Sequence, residues 1–81
     1  MLDTLRRSKI TWHCRRGMLE LDLLLTQVLE RQLDNMTAEQ IDLFENLLSF
    51  TDPELYAWLM GYEEPPEGEV RTIVEFIKSG N

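Results

Sequence analysis

At 81 residues, 43% of them hydrophobic, the chain has the material for one domain with one core and no room for a deep pocket. Its formal charge of −7 is unevenly placed. Arg6, Arg7, Lys9, Arg15 and Arg16 stand against Asp3 alone up to residue 16, whereas fourteen acidic and three basic residues follow, so most of the surface repels a phosphate backbone and any nucleic-acid binding would rest on the short basic end.

In chain order, the first candidate element is the segment Met1 to His13, where Leu2, Leu5, Ile10 and Trp12 supply sparse apolar positions on a basic helix. Leu21, Leu24, Leu25, Val28 and Leu29 then recur at the spacing of one helical face and define a second, amphipathic helix. Thr37-Ala-Glu-Gln40 has the hydroxyl and amide of a capping box, and Ile41, Phe44, Leu47 and Leu48 continue it as a third helix. Asp52-Pro53 pairs a good N-cap with the residue best suited to a first helical position, followed by Leu55, Trp58 and Leu59 and by Gly61 as a terminator. The turn-rich connector Glu63-Glu-Pro-Pro-Glu-Gly68 leads to Val70, Ile73, Val74 and Ile77, a fifth helix, with Ser79-Gly-Asn81 expected to fray.

No segment alternates with a period of two, and no repeat or long linker divides the chain. The fold expected is all-α, a compact bundle of about five short helices in a single domain covering residues 1–81. No apolar run approaches the roughly 20 residues of a spanning helix, so direct membrane insertion is not expected. Cys14 is the only cysteine, which excludes an intrachain disulfide; with no basic leader followed by an apolar run, a reducing, cytoplasmic setting is expected.

Catalytic and metal patterns are weak. His13 and Cys14 are the only residues of their kinds and, as helical neighbours, point about 100° apart, which does not suit a nucleophile and its base. A partly packed histidine and an inert, half-buried thiol are the expectation. Asp34 to Glu45 begins and ends like a calcium loop but has Met36 at the third place and Glu39 where glycine is needed. The isolated glycines lack phosphate-loop spacing. The chain is therefore expected to be no enzyme and to hold no cofactor or metal itself.

What remains is the junction Cys14-Arg-Arg-Gly-Met-Leu-Glu-Leu-Asp22. Arg15 and Arg16 suit the negative end of the first helix, Gly17 can take the left-handed conformation that ends it, and Glu20 falls in the first turn of the second. Helix punctuation accounts for every residue, yet Trp12, two guanidinium groups and a carboxylate gathered at one junction also have the make-up of a recognition surface. On that second reading Arg16 pairs with a partner's acceptor, Glu20 orients the guanidinium, and Gly17 permits close approach.

The string Trp12-His13-Cys14-Arg15-Arg16-Gly17-Met18-Leu19-Glu20 resembles the Arg-Gly-x-x-Glu signature of the succinate dehydrogenase flavinylation factors, the small assembly-factor family called SdhE in bacteria. Phe50-Thr51-Asp52-Pro53-Glu54-Leu55-Tyr56-Ala57-Trp58-Leu59-Met60 is similar to the family's second block, an Asp-Pro-(Asp/Glu)-Leu turn leading to Trp-Leu. The resemblance implies a five-helix cytoplasmic protein that binds the flavoprotein subunit of succinate dehydrogenase, and in many bacteria that of fumarate reductase, and promotes covalent attachment of FAD to a histidine of that subunit. Carried over by position, Arg16, Gly17 and Glu20 are the signature; Arg15 and Trp12 are its neighbours, and Asp52, Pro53 and Trp58 belong to the second block. All eight become candidate partner-binding residues, with Trp58 open to a role as core ring or surface anchor. The flavin would belong to the partner, and the free chain would be a monomer.

Two other classes use the basic first helix differently. A nucleic-acid-binding module would line up Arg6, Arg7, Lys9, Arg15 and Arg16 against phosphates, and a homodimeric module would bury the apolar remainder of that helix against its copy.

Overall fold

Three of the helices begin where a side chain accepts from one of their orphan amides. The computed structural model describes residues 3–79, and among them are five α-helices, one 3-10 turn and no strand. Helix α1, Thr4–His13, starts at Asp3, whose carboxylate accepts from the Arg6 amide at 2.7 Å. Helix α2 runs Leu19–Arg31 and passes into a 3-10 turn, Leu33–Asn35, of which the periodicity gives no sign. Helix α3, Ala38–Leu47, opens on the expected capping box, with the Thr37 and Gln40 side chains each bonded to the other's backbone N–H.

Helix α4, Asp52–Met60, differs from expectation at its start. Thr51 is the N-cap, in a second reciprocal box with Glu54, so Asp52 and Pro53 fall inside the first turn. The Thr51 hydroxyl accepts from the Glu54 amide, one that an N-cap at Asp52 would have served, and the Asp52 carboxylate is left for another partner. Gly61 closes α4 at φ +84°, a left-handed conformation that costs a residue with a Cβ about 1 kcal/mol. Helix α5, Glu69–Ser79, buries Ile73, Val74 and Ile77 as its spacing predicts. Ser79 is still helical, and Gly80 and Asn81, together with Met1 and Leu2, lie outside the described residues.

Helix α5 packs against α3 and α4, and α2 against α4, around a core in which Leu25, Phe44, Leu47, Leu55 and Ile77 are fully buried. The radius of gyration, 11.7 Å, is that of a single compact domain of this length. Helix α1 is the least embedded. Only Ile10 within it is buried, while Leu5 and Trp12 face outward. It ends at His13, the bound expected from the sequence, but Cys14 is its C-cap, so Gly17, three residues further on, is not the residue that terminates it. His13 is exposed rather than partly packed, and Cys14 is buried rather than half-buried. Burial pushes the Cys14 thiol up to about 12, so at neutral pH it is neither ionised nor accessible.

Trp58 is 5% exposed and meets Phe50 edge to face, ring centroids 5.2 Å apart. This settles its place as a core ring. Trp58→Ala should cost roughly 3–5 kcal/mol through the cavity it leaves, measured by urea unfolding. Native Cys14 should resist iodoacetamide at pH 8 and react at the rate of a free thiol once urea has unfolded the chain; fast native alkylation would show that the end of α1 opens.

Candidate functional site at the α1–α2 junction

The two sequence blocks meet through Arg16. Its guanidinium donates from Nε to Asp52 Oδ1 at 2.7 Å, from Nη1 to the Leu48 and His13 carbonyls at 2.7 and 3.1 Å, and from Nη2 to the Phe50 carbonyl at 2.7 Å. Four of the five N–H donors of an arginine are thereby engaged. The acceptors belong to the last residue of α1, the C-cap of α3, the α3–α4 link and the first turn of α4. A helix ends in carbonyls with no intrahelical donor and a partial negative charge; one cation here serves two such ends and holds a carboxylate beside them. The Arg16 side chain is only 15% exposed.

Arg16 is thus engaged within the chain through four of its donors, with one Nη2 N–H left over, and among the described residues Glu20 makes no hydrogen bond or ion pair with it. The Glu20 carboxylate instead accepts from the Tyr56 hydroxyl at 2.8 Å. That hydrogen bond pushes the Tyr56 hydroxyl up to about 12. Tyr56 also lies against Tyr62, centroids 5.7 Å apart. Arg16 meets Asp52 and Glu20 meets Tyr56, so residues four apart in one block engage residues four apart in the other.

Asp22 holds the loop itself. With Met18 as an N-cap that offers no side-chain bond, the Asp22 carboxylate reaches back to the Arg16 and Gly17 amides at 2.8 and 3.3 Å. Gly17 has φ +86°, and a Cβ built on it would meet no atom within 4 Å. The glycine is thus demanded by backbone conformation and not by crowding within the chain, and the space outside it is open.

Of the other candidates, Arg15 is exposed, and its side chain has no ion-pair or hydrogen-bond partner among the described residues. Trp12 is 71% exposed. Pro53 is exposed in the first turn of α4, where its fixed φ suits the helix start. Trp58 lies beneath this face, in the core. The junction therefore divides into a half-buried clasp of Arg16 and Asp52 and an outer rim of Trp12, Arg15, Gly17 and Glu20.

Sequence reasoning missed Asp22, Tyr56 and an apolar extension of the rim. Leu19 and Leu23, on one side of α2, are 73% and 57% exposed, and Met60 and Tyr62 are exposed at the end of α4. A signal for the leucines existed: the buried stripe of α2 already excludes positions 19 and 23 from the core face.

The clasp and the rim should respond differently to mutation. Arg16→Ala strands three carbonyls and a carboxylate and should cost about 2–3 kcal/mol, whereas Arg15→Ala should stay within about 0.5 kcal/mol of wild type. Urea unfolding of the two variants compares them, and equal stabilities would show that the clasp contributes nothing.

Comparison with known proteins agrees with the resemblance seen in the two blocks. A family model described as "Flavinator of succinate dehydrogenase" matches residues 8–81. The chain is 51% identical over 78 residues to the FAD assembly factor SdhE of Legionella pneumophila strain Paris, covering 96% of this chain and 98% of that protein. It is 41% identical over 78 residues to the FAD assembly factor SdhE of Coxiella burnetii, with 96% and 95% covered. It is 37% identical over 75 residues to that of Pectobacterium atrosepticum, with 93% and 85% covered. With both blocks in order, five helices around them and likeness along nearly the whole chain, the protein belongs to the flavinator of succinate dehydrogenase family.

Proposed function

We propose that this chain is an assembly factor that binds the flavoprotein subunit of succinate dehydrogenase and promotes covalent attachment of FAD to it. The observation that carries the reading is the 51% identity, over 96% of the chain, to a protein named as an FAD assembly factor. The geometry of the junction supports it. A rim of Trp12, Arg15, Gly17 and Glu20 is held on a rigid base by Arg16, Asp52 and Asp22, which is how a recognition surface keeps its shape before binding.

In this reading the flavin and its histidine belong to the partner, and the factor acts in the cytoplasm as a monomer with no catalytic group of its own. It favours a partner conformation in which the two reacting groups are held close, a contribution of proximity and population rather than of acid–base chemistry. The flavoprotein of fumarate reductase is a second client under the same proposal. Among the described residues no helix is long and apolar enough to cross a membrane. The nucleic-acid alternative loses ground: Arg6 is paired with Asp42 and Glu45, Arg7 with Asp34, and Arg16 with Asp52, which leaves little of a phosphate-binding edge.

The test is to produce a flavoprotein subunit with and without this chain and to measure flavin that survives denaturation. The covalent fraction should rise with the chain present. Gly17→Arg, which costs about 1 kcal/mol for its left-handed backbone, and Glu20→Ala should both remain folded by circular dichroism and lose that support. An unchanged flavin yield with wild-type protein would defeat the proposal.

A further inference from the structure

The face of α1 that ends at the junction combines two unusual features. Trp12 exposes 71% of its surface, although an aromatic of that size dominates the energetics of whatever buries it. Around it, the basic residues sort by position. Arg6, Arg7 and Arg16 are all consumed in ion pairs with the acidic body. Lys9 and Arg15, three residues before and three after Trp12, have no side-chain partner among the described residues.

Residues three and four apart share a helix face, and Ser8, Thr11, Trp12 and Arg15, with Arg7 beside them, line a shallow hollow of about 390 Å³. Its walls thus offer an indole, the Ser8 hydroxyl and an unpaired guanidinium, the Thr11 hydroxyl already donating to the Arg7 carbonyl, while Lys9, exposed one turn before Trp12, lies outside that lining. An arginine beside an aromatic is the arrangement that takes a carboxylate bidentately while an apolar neighbour packs on the ring.

We infer that this hollow, which takes in the Trp12 and Arg15 part of the rim, is a docking site for an acidic segment of the flavoprotein subunit, an inference that rests on the assembly-factor reading. Charge complementarity chooses the occupant. Lys9 and Arg15 are unsatisfied cations on a chain whose net charge is −7, so an acidic stretch must be matched locally to the hollow while the rest of the surface repels it. That is a condition a shaped protein surface meets, and two copies of a −7 chain, or a polyanion of uniform charge, repel at long range. The hollow is too open to enclose a small ligand, with its largest side chain mostly in solvent.

The test is titration calorimetry of the purified flavoprotein subunit with wild-type chain, with the K9E/R15E double variant and with Trp12→Ala, each at several salt concentrations. Among the described residues none of the three altered side chains has a hydrogen-bond or ion-pair partner to lose, and circular-dichroism melts check that the variants fold as wild type does. K9E/R15E should weaken binding by about ten-fold or more and flatten its salt dependence, and Trp12→Ala should weaken it by about ten-fold with the salt dependence kept. Wild-type binding that K9E/R15E leaves unchanged would overturn this inference alone, as would a loss confined to Trp12→Ala, which would mean an uncharged apolar seat. Sedimentation showing a wild-type dimer that K9E/R15E dissociates would assign the hollow to a second copy and overturn it too. If the wild-type chain fails to bind the flavoprotein at all, the assembly-factor reading falls and carries the inference with it.

Discussion

The structure turns on one cation placed where four chain segments converge. Helix α1 has a single buried residue of its own, Ile10, with Cys14 at its cap, so hydrophobic burial alone holds it loosely. The Arg16 guanidinium ties its last carbonyl to the end of α3, the α3–α4 link and the Asp52 carboxylate. Exposed ion pairs are worth little, with a median near zero to about 1 kcal/mol. This one differs because most of its donors go to carbonyls that have no other partner among the described residues and because the side chain is largely withdrawn from water.

That clasp changes the meaning of the charge asymmetry. A basic pole facing an acidic body invites the thought of an anionic partner for the whole pole. In the fold the pole lies back on the body: Arg6 and Arg7 meet Asp42, Glu45 and Asp34, and Arg16 meets Asp52. What remains for a partner is smaller and more specific, namely Lys9 and Arg15 beside Trp12, and Gly17 and Glu20 across the turn. Internal neutralisation thus narrows a diffuse electrostatic surface to a shaped one.

Much of the architecture was legible because its signals are local. Two sets of residues at helical spacing, in α2 and α5, and the Thr37–Gln40 box read directly as helices. At α4 two caps competed, and Asp52-Pro53 was the more conspicuous; the outcome depended on Glu54 returning to Thr51 and on Arg16 claiming Asp52, the second of which is a contact 36 residues away. The role of Arg16 was illegible for the same reason. Its partners are carbonyls, which carry no residue identity, so neither composition nor spacing can announce them. Likeness to a family selects Arg16, Gly17 and Glu20 without separating the residue that builds the junction from those that face outward. Tyr56 and Asp22 escaped notice because a tyrosine or an aspartate within an amphipathic helix looks like ordinary solvated polarity until its distant acceptor or donor is known.

The claim that the signature arginine acts first through the fold is tested most directly by a double-mutant cycle in urea unfolding, using Arg16→Ala, Asp52→Ala and the two together. If Arg16 and Asp52 form one clasp, the losses will fall short of additive by at least about 1 kcal/mol, as groups in contact within one network do. Losses that add within about 0.5 kcal/mol, the behaviour of independent sites, would contradict the account and return Arg16 to the outer surface.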